Sequence, residues 1–194
     1  MSREQNKVIG LCITNDLFSS LYNDKVTTGD LNRLIAKFVN KQARNNRNFI
    51  FFPHIPNDIN VINEVLKNVE SNVKRNQIII APLNAIGING VYELSKYYRQ
   101  CDCVIGMRFH SLIMSINLKI PTIALAGHQE IESLFAELNM KKFCLKVNNF
   151  DIDNKLNEII ETLFDSNDII EKYNNIYKDL NSIRENYYFA LLHF

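Results

Sequence analysis

The stretch Cys101-Asp102-Cys103-Val104-Ile105-Gly106-Met107-Arg108-Phe109-His110-Ser111 runs on through the apolar segment Leu112 to Leu118. It ends in Ile120-Pro121-Thr122-Ile123-Ala124-Leu125. Val104-Ile105 and Thr122–Leu125 are short, apolar and rich in β-branched residues, as buried strands are. His110 to Asn117 has the spacing of a helix. Strand, polar turn, helix and strand make one crossover unit, and such a unit joins parallel strands. The remainder of the chain repeats this rhythm.

Upstream, Val8–Ile13 reads as a first buried strand, and Leu17 to Asp24 as a loop or short helical turn. Thr27-Thr28-Gly29-Asp30 is placed to cap a helix whose apolar positions are Leu31, Leu34, Ile35, Phe38 and Val39. That helix should stop before Asn45. Phe49–Phe52 is the second strand. Pro53 and Pro56 then force an irregular turn holding His54. Asp58 is placed to N-cap a helix over Ile59–Val69. Gln77–Ala81 is a third strand, followed by a loop over Asn84–Gly90 and a helix over Val91–Tyr98.

Downstream, the pattern predicts a helix over Glu130–Leu138 and a short edge strand over Lys142–Leu145. A helix should run from Asp151 or Asp153 to about Phe164, and a long one should follow Asn167-Asp168. Strands that are unbroken apolar runs, alternating with helices, predict an α/β fold. Its mostly parallel sheet should be covered by helices on both faces. The expected division is a Rossmann-like body over 1–147 with a helical extension over 148–194 packed on it. The apolar end, Tyr187 to Phe194, should pack back across the body or serve as a docking surface.

Composition removes several classes of function. The 22 basic and 21 acidic residues leave a formal net charge of +1, so there is no bulk electrostatic drive toward nucleic acid. The four cysteines read as small core residues of a reduced protein. The histidines have no paired metal-ligand spacing, so no metal site is expected. Gly87 and Gly90 fit neither the P-loop nor the dinucleotide fingerprint, and no cofactor is expected. Residues 1–7 have no apolar export core, and no apolar run approaches a bilayer span. A cytoplasmic chain without a transmembrane segment is the expectation.

In a parallel sheet, ligands bind beyond the carboxyl ends of the strands, where the strand order reverses. Arg108 and His110 fall where a strand should end. Arg108 offers a planar, permanent charge suited to carboxylate or phosphate, and His110 is able to exchange a proton near neutral pH. Gly106 lets the backbone approach closely. Ser111 is placed to cap the following helix, whose free N–H groups also favour an anion. The polar turn after the second strand, which holds His54, is another typical place for a ligand group. A purely structural reading stays open: Arg108 pairs with Asp102 or Glu130, and His110 only caps a helix.

Asp102 through Ser111, the apolar helix and Ile120–Leu125 resemble the signature of the polysaccharide pyruvyl transferase family. The similarity spans roughly Asn48 to Leu145, with Phe52-Pro53-His54 and Asp58 matching a second strand and its turn. It extends more loosely to the strand at Val8. The resemblance implies the C-terminal, Rossmann-like lobe of a GT-B type fold. It implies transfer of the enolpyruvyl unit of phosphoenolpyruvate onto two hydroxyls of a sugar or glycan. Arg108 would then hold the donor's phosphate or carboxylate, and His110 would protonate its methylene carbon. Gly106, Ser111, His54 and His128 would line the donor site. Because the cleft of such enzymes lies between two lobes, a separate N-terminal lobe or self-association is the implied partner. A non-catalytic α/β binding or assembly module and a nucleotide-sugar glycosyltransferase lobe are the other readings, since a fold does not fix a function.

Overall fold

A computed structural model describes residues 6–15, 26–83, 87–165, 171 and 174–178. Among these residues six strands form one sheet: β1 (Val8–Cys12), β2 (Asn48–Phe51), β3 (Ile78–Ile80), β4 (Cys103–Gly106), β5 (Thr122–Ala126) and β6 (Cys144–Lys146). Their order is β3-β2-β1-β4-β5-β6, and every pairing is parallel. The order reverses between β1 and β4, where Cys12 lies opposite Gly106. The sheet is parallel, as expected, and doubly wound, with its switch point at the carboxyl ends of β1 and β4.

Among the described residues, the helices that connect or cover the strands include α1 (Thr28–Arg44), α2 (Pro56–Lys67), α3 (Ser71–Asn76), α4 (Gly87–Tyr98), α5 (Phe109–Asn117), α6 (Gln129–Glu137) and α7 (Ile152–Asp165). Side chains alternate across the strands, as the pleat requires. Ile9, Leu11, Phe49, Phe51, Cys103 and Ile105 join the larger apolar cluster with α1, α2 and α7. Cys12, Ile50, Phe52 and Val104 join a smaller one with Leu94 and Tyr98 of α4. Both faces are therefore covered. All four cysteines are free, and Cys12, Cys101 and Cys103 are buried. Among the described residues no helix is long and apolar enough to cross a membrane.

Local chemistry explains most boundaries. Thr27 caps α1: its hydroxyl accepts from the Asp30 N–H at 3.1 Å, while Asp30 accepts from the Thr27 N–H at 3.0 Å. That is a capping box. Helix α2 starts at Pro56 rather than at Ile59, because proline suits the first helical turn. Asp58 is then inside the helix, not its N-cap. Helix α3 was not foreseen; six residues are too short for a periodic signal. Helix α4 begins at Gly87 rather than Val91, so the glycine pair lies in its first turn and not in a loop. The edge strand β3 leaves Ile79 and Ile80 exposed, although the run reads as buried.

Helix α7 is fastened to α1 as well as to the apolar core. Ile152, Leu156, Ile160 and Leu163 are buried. Glu161 accepts from both terminal nitrogens of Arg47, each at 2.8 Å. Gln42 donates to Asn157 at 2.6 Å and to Glu161 at 3.1 Å. The readings for Leu17–Asp24, Asn84 and the apolar end 187–194 lie outside the described residues.

Candidate functional site

Three carboxyl ends meet around Arg108. After β4 the chain turns at Arg108, which is the N-cap of α5. Its guanidinium does not pair with Asp102, whose carboxylate instead accepts from Lys7 at 3.0 Å and from the Val8 N–H at 2.8 Å. Arg108 pairs with Asp58, fifty residues earlier. Nε donates to Asp58 Oδ2 at 3.0 Å and Nη2 to Oδ1 at 2.6 Å. This is the planar fork-on-fork contact that arginine makes with a carboxylate. Nη2 also donates to Thr14 Oγ1, beyond β1, at 2.9 Å.

Asp58 is fully buried, while Arg108 keeps 17% of its side chain exposed. A buried carboxylate needs its lone pairs filled. Here the N–H groups of His54 and Ile55 complete the set, donating to Oδ2 at 2.9 and 3.1 Å. One carboxylate thus ties the turn after β2 to the turn after β4, and Arg108 carries the tie on to β1. The arginine is held in one orientation at the switch point.

Gly106 closes β4, directly before this turn. A Cβ there would lie 2.7 Å from Ser111 Oγ and 2.8 Å from Leu112 Cδ2. Glycine is needed because α5 sits hard against the strand end. Ser111 does not cap α5; it lies one turn in and is fully buried. Its hydroxyl donates to the Arg108 carbonyl at 2.6 Å. The Cys12 thiol, on the residue opposite Gly106 across the sheet, is buried and free. Burial pushes the Cys12 thiol up to about 12, so this cysteine is an inert neutral group.

His54 stands above this buried layer. Its Nε2 is 2.9 Å from the Tyr98 hydroxyl, and Tyr98 stacks on Phe52 with ring centroids 4.0 Å apart. Burial lowers the His54 pKa; Asp58 raises it, and Arg108 and His110 lower it further. His54 is therefore neutral at pH 7. His110, in the first turn of α5, is exposed, with Phe109 edge-on beside it. His128 is the N-cap of α6, beyond β5, and gives no side-chain cap. Asn15, just past β1, has Oδ1 buried without a partner among the described residues. A separate groove of about 470 Å³ lies between α6 and β6, lined by Glu132, Lys141 and Lys146 among others. No cluster able to hold a metal ion occurs among the described residues.

Sequence reasoning placed Arg108, His110, Gly106 and Ser111 in this stretch and His54 in the turn after β2. It missed Asp58 as the partner of Arg108, Thr14 as its second acceptor and Tyr98 as the support of His54. Asp58 had the signal of a carboxylate four residues after a histidine in a proline turn. Tyr98 read only as part of an apolar stripe.

The family model for polysaccharide pyruvyl transferase matches residues 5–129, which takes in β1 through the first residue of α6 and the residues placed around Arg108. The chain belongs to the polysaccharide pyruvyl transferase family. No curated protein matches it. Among solved structures, the glycosyl transferase family 9 protein of Veillonella parvula superposes with a TM-score of 0.55 at 16% identity, over 84% of this chain and 48% of that one. A variant of the O-GlcNAc transferase of Thermobaculum terrenum gives 0.53 at 12% identity, over 90% and 32%. These likenesses establish the fold, a Rossmann-like lobe of the GT-B type. This pyruvyl transferase family member spans about half the length of the first structure and about a third of the second.

Proposed function

We propose that this chain is the donor-side lobe of an enzyme that transfers the pyruvyl unit of phosphoenolpyruvate onto two hydroxyls of a sugar or glycan, forming a ketal and phosphate. The observation that supports it most is the Arg108–His110 pair at the switch point of a family member. There the arginine is locked by Asp58 and Thr14, and the histidine stands exposed on the first turn of α5. Arg108 receives the donor's phosphate or carboxylate on its exposed edge, and the N-terminus of α5 adds its own preference for an anion.

His110 delivers a proton to the methylene carbon, which becomes the methyl group. The neighbouring carbon then carries oxocarbenium character, and the first sugar hydroxyl bonds to it. Phosphate leaves and the second hydroxyl closes the ketal. Of the two hydroxyl protons released, one restores His110 and the other departs with phosphate, so the step balances. Gly106 and Ser111 shape the floor of this site, while His54 and His128 flank it. The acceptor approaches from a second lobe, supplied by another chain or by a second copy of this one.

The test follows phosphorus-31 signals of phosphoenolpyruvate mixed with the purified full chain and a panel of hexose-terminated glycans. Phosphate and a pyruvyl ketal should appear with the wild type, and His110→Ala should slow them at least about 100-fold. Phosphoenolpyruvate that persists equally in both samples would overturn the reading.

A further inference from the structure

Two large apolar side chains stand exposed at the turns that the Arg108–Asp58 pair ties together. Phe109 follows Arg108 as the first residue of α5, and Ile55 is the N-cap of α2. Each is 38% exposed. A single exposed apolar residue needs no explanation, but these two belong to one hydrogen-bonded cluster. The Ile55 N–H and Arg108 Nε both donate to Asp58 Oδ2, at 3.1 and 3.0 Å. Ile55 also occupies a position where helices prefer a short polar side chain, and it gives no side-chain cap. Phe109 meets the His110 ring edge-on, with centroids 6.1 Å apart and planes at 86°. Apolar surface from two turns is thus set beside a partly exposed arginine and an exposed histidine.

We propose that Phe109 and Ile55 form the platform on which the acceptor sugar lays a C–H face, with its hydroxyl edge turned toward the donor at Arg108. The chemical class of ligand is a hexopyranose at a glycan terminus, which carries hydroxyls on its rim and C–H bonds on its faces. The proposal rests on the pyruvyl-transfer reading and assigns its acceptor side. A protein partner fits this patch less well. A stable interface buries about 1,200–2,000 Å², and two partly exposed side chains beside a charge supply little of that. A seated sugar also keeps water from the activated donor. Where water bonds to the pyruvyl carbon instead, phosphate leaves and free pyruvate forms in place of the ketal. Phe109 and Ile55 are therefore specificity residues, deciding between a sugar hydroxyl and water.

The test begins without donor. The full chain is deuterated except for its phenylalanine and tyrosine rings, those ring protons are saturated, and transfer to a panel of methyl hexopyranosides is read by NMR. The C–H protons of at least one hexoside should respond in the wild type. Phe109→Ser should cut that response about fivefold or more, and Phe109→Tyr, which keeps the ring, should retain it. Phe150→Ser, which removes an exposed ring beyond the edge strand β6, should leave it unchanged. A wild type that responds to no hexoside overturns the proposal, as does a Phe109→Ser variant that responds as the wild type does. A wild-type dimer that Phe109→Ser converts to monomer in sedimentation velocity also overturns it, since the patch is then a contact between copies. With turnover in hand, Phe109→Ser should raise the acceptor KM about tenfold and shift product from ketal toward free pyruvate. An unchanged ratio of ketal to pyruvate overturns the specificity role. A wild type that holds the sugar yet leaves phosphoenolpyruvate unconsumed counts against the pyruvyl-transfer reading and leaves the platform standing.

Discussion

Asp58→Asn should be a strongly destabilising isosteric change. Asp58 receives four donors, from Arg108 Nε and Nη2 and from the N–H groups of His54 and Ile55. An asparagine there must aim its NH₂ at one of them. The least costly orientation puts the amide nitrogen where Oδ1 stood, keeping three contacts, facing Arg108 Nη2 donor to donor, and leaving the guanidinium without its counter-charge. Breaking a buried ion pair by removing one partner costs about 3–5 kcal/mol. Because Arg108 is 17% exposed, water recovers part of this, and about 3 kcal/mol is the expected loss. At an m-value of about 2 kcal/mol per molar, the urea midpoint should fall by about 1.5 M. Arg108→Gln leaves the fully buried Asp58 carboxylate without its counter-charge and should cost at least as much, and the double variant should recover about 2 kcal/mol of coupling relative to the sum of the singles. Two single effects that add to within about 0.5 kcal/mol would refute the account of this pair.

Gly106→Ala should destabilise by about 1–3 kcal/mol, since its methyl would press on Ser111 and Leu112 at 2.7–2.8 Å; a thermal midpoint equal to that of the wild type would contradict this. Acid should destabilise the fold in two stages. The unfolded chain protonates His54 below its ordinary 6.5 while the folded site resists, so this contribution is lost as pH falls through and below that value. Glu161, held low by Arg47, adds a loss as pH falls below 4.5. His54→Gln should flatten the first stage in urea midpoints measured between pH 7 and pH 5, and an unchanged slope would speak against a buried neutral His54. Finally, burial raises the thiols of Cys12 and Cys101 to about 12 and that of Cys144 to about 11. A thiol-specific reagent should label the native chain slowly, with Cys144 first; rapid labelling of Cys12 would show that the layer under Arg108 is open.

The sheet was largely legible from local pattern. Val8–Ile13, Phe49–Phe52 and Val104-Ile105 are apolar runs with few other ways to be satisfied, and a doubly wound sheet is what such runs make. Where reading failed, the deciding contact was distant or the element was short. Asp58 looked like a helix cap because a cap is a local use of a carboxylate, whereas Arg108 reaches it only through the adjacency of β1 to both β2 and β4. Tyr98 sits on the apolar stripe of α4, and its hydroxyl gains a meaning only once α4 lies under the turn after β2. Ile79 and Ile80 have the composition of a central strand, and only the strand order shows that they form an edge. Local pattern thus located the site, and the sheet topology determined which side chains orient one another within it.

The central claim is that this lobe binds the donor at Arg108. Calorimetric titration of the full chain with phosphoenolpyruvate tests it most directly, with the Arg108→Gln/Asp58→Asn double variant beside it, since that variant removes both charges of the pair at once. Binding between micromolar and low millimolar strength that disappears in the double variant is the predicted result. A well-folded wild type that releases no heat of binding, or a double variant that binds as the wild type does, would contradict it.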